Sequence, residues 1–140
     1  MREVIKSGNG YILPVQNLKI QEYIFWSGFW HSIKLHGDDE YTAQFTLESG
    51  DVYNIDGKEI ENFSEYILSN PFANEMCLNA IIYLNGTLEI TFIRHKIIIY
   101  ADPDFESWSF GDSNEIRIYC LPKGDFMTFG LQNLFVNIRE

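Results

Sequence analysis

The chain has 140 residues, 46% hydrophobic and 16% aromatic, enough apolar surface for one folded domain over residues 1–140 and too much for a disordered segment. It carries 20 acidic and 10 basic residues, a formal net charge of −10, shared between the two halves of the chain. That balance argues against nucleic acid and anionic membrane surfaces as partners, because both are gripped by clustered Lys and Arg; it fits high solubility or attraction to a basic protein.

The first residues, MREVIKSGNGYILPVQ, contain no continuous apolar stretch of the kind a signal peptide needs, and no apolar run approaches the ~18 residues of a membrane helix. Cys77 and Cys120 show neither zinc-ligand nor CxxC spacing. Two thiols among apolar neighbours suit a reducing cytoplasm, and the spacing leaves a disulfide between them open.

Along the chain, a two-residue hydrophobic period dominates. The aromatics Trp26, Phe29 and Trp30 surround Ser27-Gly28, a hairpin tip whose rings either fold back into the core, the favoured reading, or anchor a partner. In FWHSIKLHG, Phe29, His31, Ile33 and Leu35 share one face of a strand; in YTAQFTL, Tyr41, Ala43, Phe45 and Leu47 alternate with Thr42, Gln44 and Thr46. A turn at ESGD leads to VYNI, which ends at Asp56-Gly57. KEIENFSEYILSNP then changes period: Ile60, Phe63, Ile67 and Leu68 form one stripe, which predicts a helix over Glu59–Ser69 stopped before Pro71, with a weak second helical piece around Phe72–Cys77. Residues 79–130 read as a meander of about five strands, opened by a type I′ hairpin at Asn85-Gly86. The pieces FTLESGDVYNID and IIYLNGTLEITF echo each other as strand, turn, strand. Together these patterns predict an α+β fold: a twisted, mostly antiparallel sheet of about seven to nine strands with one main helix packed on it.

The candidate chemistries are thin. His31 and His36 fall on opposite faces of one strand, and His95 lies between Arg94 and Lys96, so no metal set is assembled. There is no GxSxG, no low-pKa cysteine signature and no phosphate loop, so no catalytic residue, cofactor or metal is expected. What stands out is acid placed in loops: Asp38, Asp39 and Glu40 between two strands, and Asp102, Asp104 and Glu106 in ADPDFESWSFGDSNE, which has five carboxylates and no Lys or Arg. Asp102-Pro103-Asp104 reads as a rigid turn, with Trp108 packed onto the sheet behind it.

The segment DPDFESWSF, followed by a strand and LPKGDFMTF, resembles a bacterial domain of unknown function with a D-P-D-aromatic-x-x-W segment ahead of a short strand pair and an L-P-G-G-like turn. The elements here are Asp102, Pro103, Asp104, Phe105, Trp108, Leu121, Pro122 and Gly124, within residues 84–129, with Lys123 where a glycine is common. In size and charge such domains resemble the immunity proteins of polymorphic toxin systems. The resemblance implies a cytoplasmic, non-enzymatic protein that binds and neutralises a basic cognate toxin, for instance a nuclease, by occlusion. The partner-binding residues it points to are Asp38, Asp39, Glu40, Asp102, Asp104 and Glu106. The alternative is an accessory domain that self-associates as a homodimer through a sheet edge or the Trp26–Trp30 tip.

Overall fold

The computed structural model describes residues 3–26, 30–37, 39–48, 53–60 and 75–130. Their strands are Ile5–Ser7 (β1), Gly10–Ile12 (β2), Lys19–Trp26 (β3), Trp30–His36 (β4), Thr42–Glu48 (β5), Tyr53–Ile55 (β6), Lys58–Ile60 (β7), Cys77–Tyr83 (β8), Leu88–Phe92 (β9), Lys96–Ile99 (β10), Trp108–Asp112 (β11), Arg117–Cys120 (β12) and Phe126–Phe129 (β13). They make two antiparallel sheets, one of seven strands in the order β1-β2-β8-β9-β10-β6-β7 and one of six in the order β13-β12-β11-β5-β4-β3.

The α+β expectation is therefore overturned. Apart from a 3-10 turn at Pro122–Gly124, the described residues contain no helix, and none of them could cross a membrane as one. Of the helix predicted over Glu59–Ser69, Glu59 and Ile60 pair with Asn54 and Tyr53 in a hairpin, and residues 61–69 lie outside the described residues. The cause is Asp56-Gly57: both take positive φ, 54° and 88°, as a two-residue type I′ turn requires, and so send Lys58–Ile60 back along β6. The second helical piece also fails where it is described, because Met76 bridges Lys19 and Cys77 opens β8.

The predicted five-strand meander is in fact six strands divided between the sheets. β8, β9 and β10 are consecutive neighbours in the first sheet, and β11, β12 and β13 in the second. The expected echo is not a repeated hairpin either, since β5 and β6 belong to different sheets whereas β8 and β9 pair. Asn85-Gly86 does turn the chain, but as a three-residue loop. Tyr83 donates to the carbonyl of Thr87, and only Gly86 of the loop has positive φ, at 91°.

Two three-stranded units, β3-β4-β5 and β11-β12-β13, meet through β5 and β11 to build the six-stranded sheet. The chain joins the sheets at a corner: residues 13–18 continue along β8 after β2, through bonds such as Leu13 N–H to Ala80 O and Cys77 N–H to Leu18 O, before entering β3. Irregularities in register at Ile20/Glu22 and Cys77/Asn79 bend both partners there, as bulges do where strands change sheets. One core draws on both sheets, with Ile82, Leu88, Ile90, Ile97 and Ile99 from the first and Ile33, Leu35, Phe45, Leu47, Phe110 and Ile118 from the second. The alternation expected in YTAQFTL holds: Ala43, Phe45 and Leu47 are buried, while Thr42, Gln44 and Thr46 are partly exposed on the outer face.

Candidate functional site

The crossover from β10 to β11 carries the acidic segment. Asp102 organises it. Its backbone N–H donates to Ser107 Oγ at 2.7 Å, and its Oδ1 accepts from the N–H groups of Asp104, at 2.7 Å, and Phe105, at 3.2 Å. Its carbonyl accepts from the N–H of Lys123 at 2.9 Å. One carboxylate thus closes the turn on itself and the backbone ties the turn to the loop after β12, so the segment is held before any partner arrives. Pro103, Asp104, Phe105 and Glu106 are all exposed, and Phe105 is 61% exposed, the most of the large hydrophobic side chains described.

Behind the turn the chain buries Trp108, 1% exposed, against Phe126 at a ring separation of 6.3 Å. The neighbouring turns fit closely. A Cβ on Gly124 would sit 2.2 Å from the carbonyl oxygen of Asn85, and one on Gly86 would sit 2.5 Å from the Cα of Gly124. Lys123 takes φ of 68°, a conformation glycine adopts freely, which accounts for a glycine being at home there. So Asp102, Trp108, Lys123 and Gly124 converge with Asn85-Gly86 on a single junction between the sheets.

The other predicted acidic loop lies elsewhere. Asp39 and Glu40 are exposed between β4 and β5, Asp39 Oδ1 accepting from Tyr41 N–H at 3.4 Å; Asp38 lies outside the described residues. β11 runs antiparallel to β5, with Trp108 opposite Leu47 and Asp112 opposite Ala43. The 102–106 turn therefore stands at the far end of the sheet from Asp39 and Glu40, separated by the length of β5 from Thr42 to Leu47, roughly 17 Å at about 3.4 Å per residue. The structure brings Asp102, Asp104 and Glu106 together and does not join them to the other cluster. The aromatic tip is described only in its backbone: Trp26 pairs with Trp30, and residues 27–29 lie outside the described residues.

Two groupings escaped the sequence reading. In the first, His95 Nδ1 lies 2.8 Å from Asp56 Oδ2 and its Nε2 3.8 Å from Glu75 Oε2, while Glu75 Oε1 accepts from the N–H of Arg94. The two flanking cations in sequence had suggested an unfavourable setting for His95; the sheet supplies two carboxylates instead. Burial raises the pKa of Asp56, but the bond to His95, the Lys96 N–H and the charge of the ring outweigh it and hold the carboxyl below its ordinary 3.8. The second is a polar groove of about 480 Å³ on the outer face of the six-stranded sheet, between Lys34 and Arg117. Only strand pairing could have revealed either: His95 is 20 and 39 positions from Glu75 and Asp56, and the groove joins β4 and β5 to β11 and β12, more than 60 positions on.

The remaining candidates are structural. His31 is buried on the inner face, and burial pushes its pKa down to about 4, while His36 is exposed on the opposite face as expected. Cys77 and Cys120 are buried and form no disulfide, and burial pushes the Cys77 thiol up to about 12, which leaves it protonated and unreactive. Among the described residues no group of three His, Cys, Asp or Glu side chains could hold a metal ion.

The fold and the loop define a class: a two-sheet antiparallel β protein that carries a preorganised acidic turn with an exposed aromatic ring at a sheet junction. A family model described as a family of unknown function (DUF6188) matches residues 28–130, and the chain belongs to that family. No curated protein and no solved structure matches it.

Proposed function

We propose that this protein is a non-enzymatic binding protein of the immunity type, which neutralises a basic cognate toxin in the cytoplasm by occluding it, and that residues 102–106 are its docking element. The observation that carries the reading is Phe105, exposed on a turn pinned by Asp102 and flanked by Asp104 and Glu106. An aromatic anchor ringed by carboxylates suits a basic surface with an apolar pocket, and a turn already held in place loses little entropy on binding. The net charge of −10 would steer such a partner from a distance. Asp39 and Glu40, which stand at the other end of the sheet, would serve as outlying charge that speeds encounter, with Asp38 beside them in sequence.

The test is capture from a lysate of the source organism on immobilised wild-type protein and on a variant carrying Phe105→Ala, Asp104→Lys and Glu106→Lys. A basic protein retained by the wild type at low salt and lost by the variant supports the reading. Equal retention by both places docking away from this turn.

A second reading, self-association, is favoured by β13, which lies at the edge of the six-stranded sheet and exposes Met127 and Phe129. Sedimentation equilibrium separates the two: a dimer abolished by Phe129→Lys but untouched by the loop variant would assign β13 to a homodimer.

A further inference from the structure

The groove on the outer face of the six-stranded sheet owes its form to one row of residues paired across the strands. Glu22, Lys34, Gln44, Gly111, Arg117 and Phe129 stand side by side on β3, β4, β5, β11, β12 and β13. Gly111 leaves a gap in the row. Arg117 fills part of it, its Cδ, Nε and Nη1 lying where a side chain on Gly111 would begin, and its Nη1 donates to the carbonyls of Asp112, at 2.9 Å, and Ile116, at 2.7 Å. Those bonds hold the guanidinium over the gap at Gly111, on the groove side of β12. Lys34 faces it from the other side of the groove, and no carboxylate among the described residues pairs with either cation. Glu22 stands beyond Lys34, away from the groove, and both oxygens of Asp112 at its end are engaged, one by Tyr41 and the other by the N–H groups of Asn114 and Ile116.

Between the cations the surface is hydroxyl and amide: Thr42, Thr46, Ser109, Ser113 and Gln44, with Tyr119 at the wall. Gln44 Nε2 donates to Ser32 Oγ at 3.1 Å, which turns the amide oxygen to acceptor duty.

We infer that this groove binds an acidic saccharide unit, a hydroxyl-rich ring bearing a carboxylate. The two cations supply the match for negative charge. The hydroxyls and amide match ring hydroxyls, and Tyr119 offers a flat apolar wall. The volume is that of an ordinary small-ligand site, but its lining is polar, so its ligand is hydrophilic. An acidic peptide fits less well. Peptides join β proteins by pairing with free strand edges, whereas this groove lies on the sheet face, where the backbone groups of β4, β5, β11 and β12 are already paired on both sides. The groove lies apart from the 102–106 turn, so the inference stands independently of the proposed docking function.

The test titrates the protein with trigalacturonic acid, neutral maltotriose and hexaglutamate, following amide chemical shifts and binding heats. Trigalacturonic acid is expected to shift the amides of Gln44, Ser109 and Arg117 and to saturate. Lys34→Ala is expected to weaken it about two- to fivefold, the scale of one exposed charge contact, with an unchanged melting temperature. Ser109→Ala, which removes one hydroxyl from the floor, is the second variant and should weaken it without altering the salt dependence. Equal binding of maltotriose overturns the role of the cations. Tighter binding of hexaglutamate overturns the saccharide in favour of an acidic peptide, and the absence of any saturable shift overturns the site.

Discussion

The indole N–H of Trp108 donates to the carbonyl oxygen of Gly86 at 2.8 Å, and this bond ties the first strand of one unit of the six-stranded sheet to the β8–β9 turn of the other sheet. Trp108 thus does two things at once: it fills the core and it satisfies a buried polar group. Trp108→Phe keeps most of the ring volume but leaves the Gly86 carbonyl short of a donor, and should cost about 1–3 kcal/mol. Trp108→Ala adds a cavity and should cost about 3–5 kcal/mol. Urea unfolding measures both; if the two variants lose the same amount, the hydrogen bond is the whole effect and the packing argument fails.

The junction also dictates which glycines are replaceable. Gly57 and Gly124 have nearly the same φ, 88° and 85°, so alanine at either incurs the same backbone strain. Around Gly57 there is open space, whereas at Gly124 a Cβ collides with the backbone of Asn85. Gly57→Ala should lose about 1 kcal/mol, the strain alone. Gly124→Ala should lose about 3 kcal/mol or more, because a carbonyl has to move. Gly86→Ala should resemble Gly124→Ala. Equal melting temperatures for the Gly57 and Gly124 variants would mean that the Pro122–Gly124 turn does not touch the Asn85-Gly86 turn in solution.

These comparisons show what local pattern reveals and what it hides. The strands through Ala43, Phe45 and Leu47, or Leu88, Ile90 and Phe92, are legible because alternation and burial report the same face. The change of sheet between Ile99 and Trp108 is not, because it depends on which strand Trp108 pairs with, and Leu47 is 61 positions away. The predicted helix does not begin at Glu59 for a different reason: the positive φ of Asp56 and Gly57 turns Lys58–Ile60 back along β6. At the site, the Asx bonds of Asp102 were readable from Asp-Pro-Asp. The lock onto Lys123 and the pair of carboxylates around the His95 ring could not be, because Asp102 meets Lys123, and His95 meets Asp56 and Glu75, only in the folded sheets.

Among the described residues His31 and Asp56 have pKa values that shift on folding and bear on acid stability, in adjoining pH windows. His31 has a pKa of about 4 in the fold against an ordinary 6.5, so between these values the unfolded chain binds the extra proton. Stability is therefore full above pH 6.5, falls as the pH drops toward 4 and levels off below it; over that window the loss is on the order of 3 kcal/mol. The carboxyl of Asp56 is held below 3.8, so its contribution is present above that pH and disappears as the pH falls through its lower folded value. Urea midpoints followed from neutral to acid pH should show the first loss flattened by His31→Gln and the second by Asp56→Asn. A His31→Gln profile that keeps the wild-type slope between pH 6.5 and 4 would show that another group titrates there.

The buried carboxylate of Asp112 provides the last test. Tyr41 Oη–H donates to its Oδ2 at 2.5 Å, and its Oδ1 accepts from Asn114 and Ile116, each at 2.9 Å, so this one side chain closes the β11–β12 turn and anchors the start of β5 to it. Tyr41→Phe removes one donor from a buried acceptor and should cost about 1–3 kcal/mol. Asp112→Ala removes the acceptor for three donors and should cost more, because the turn loses its closure as well. The two losses should not add: with Asp112 gone, Tyr41→Phe has little left to break, and the double variant should fall short of the sum by about 0.5–3 kcal/mol. Strict additivity in the double-mutant cycle would show that Tyr41 and Asp112 do not interact, and the start of β5 would then be held to β11 by strand pairing and the two bonds between Ser113 and Thr42.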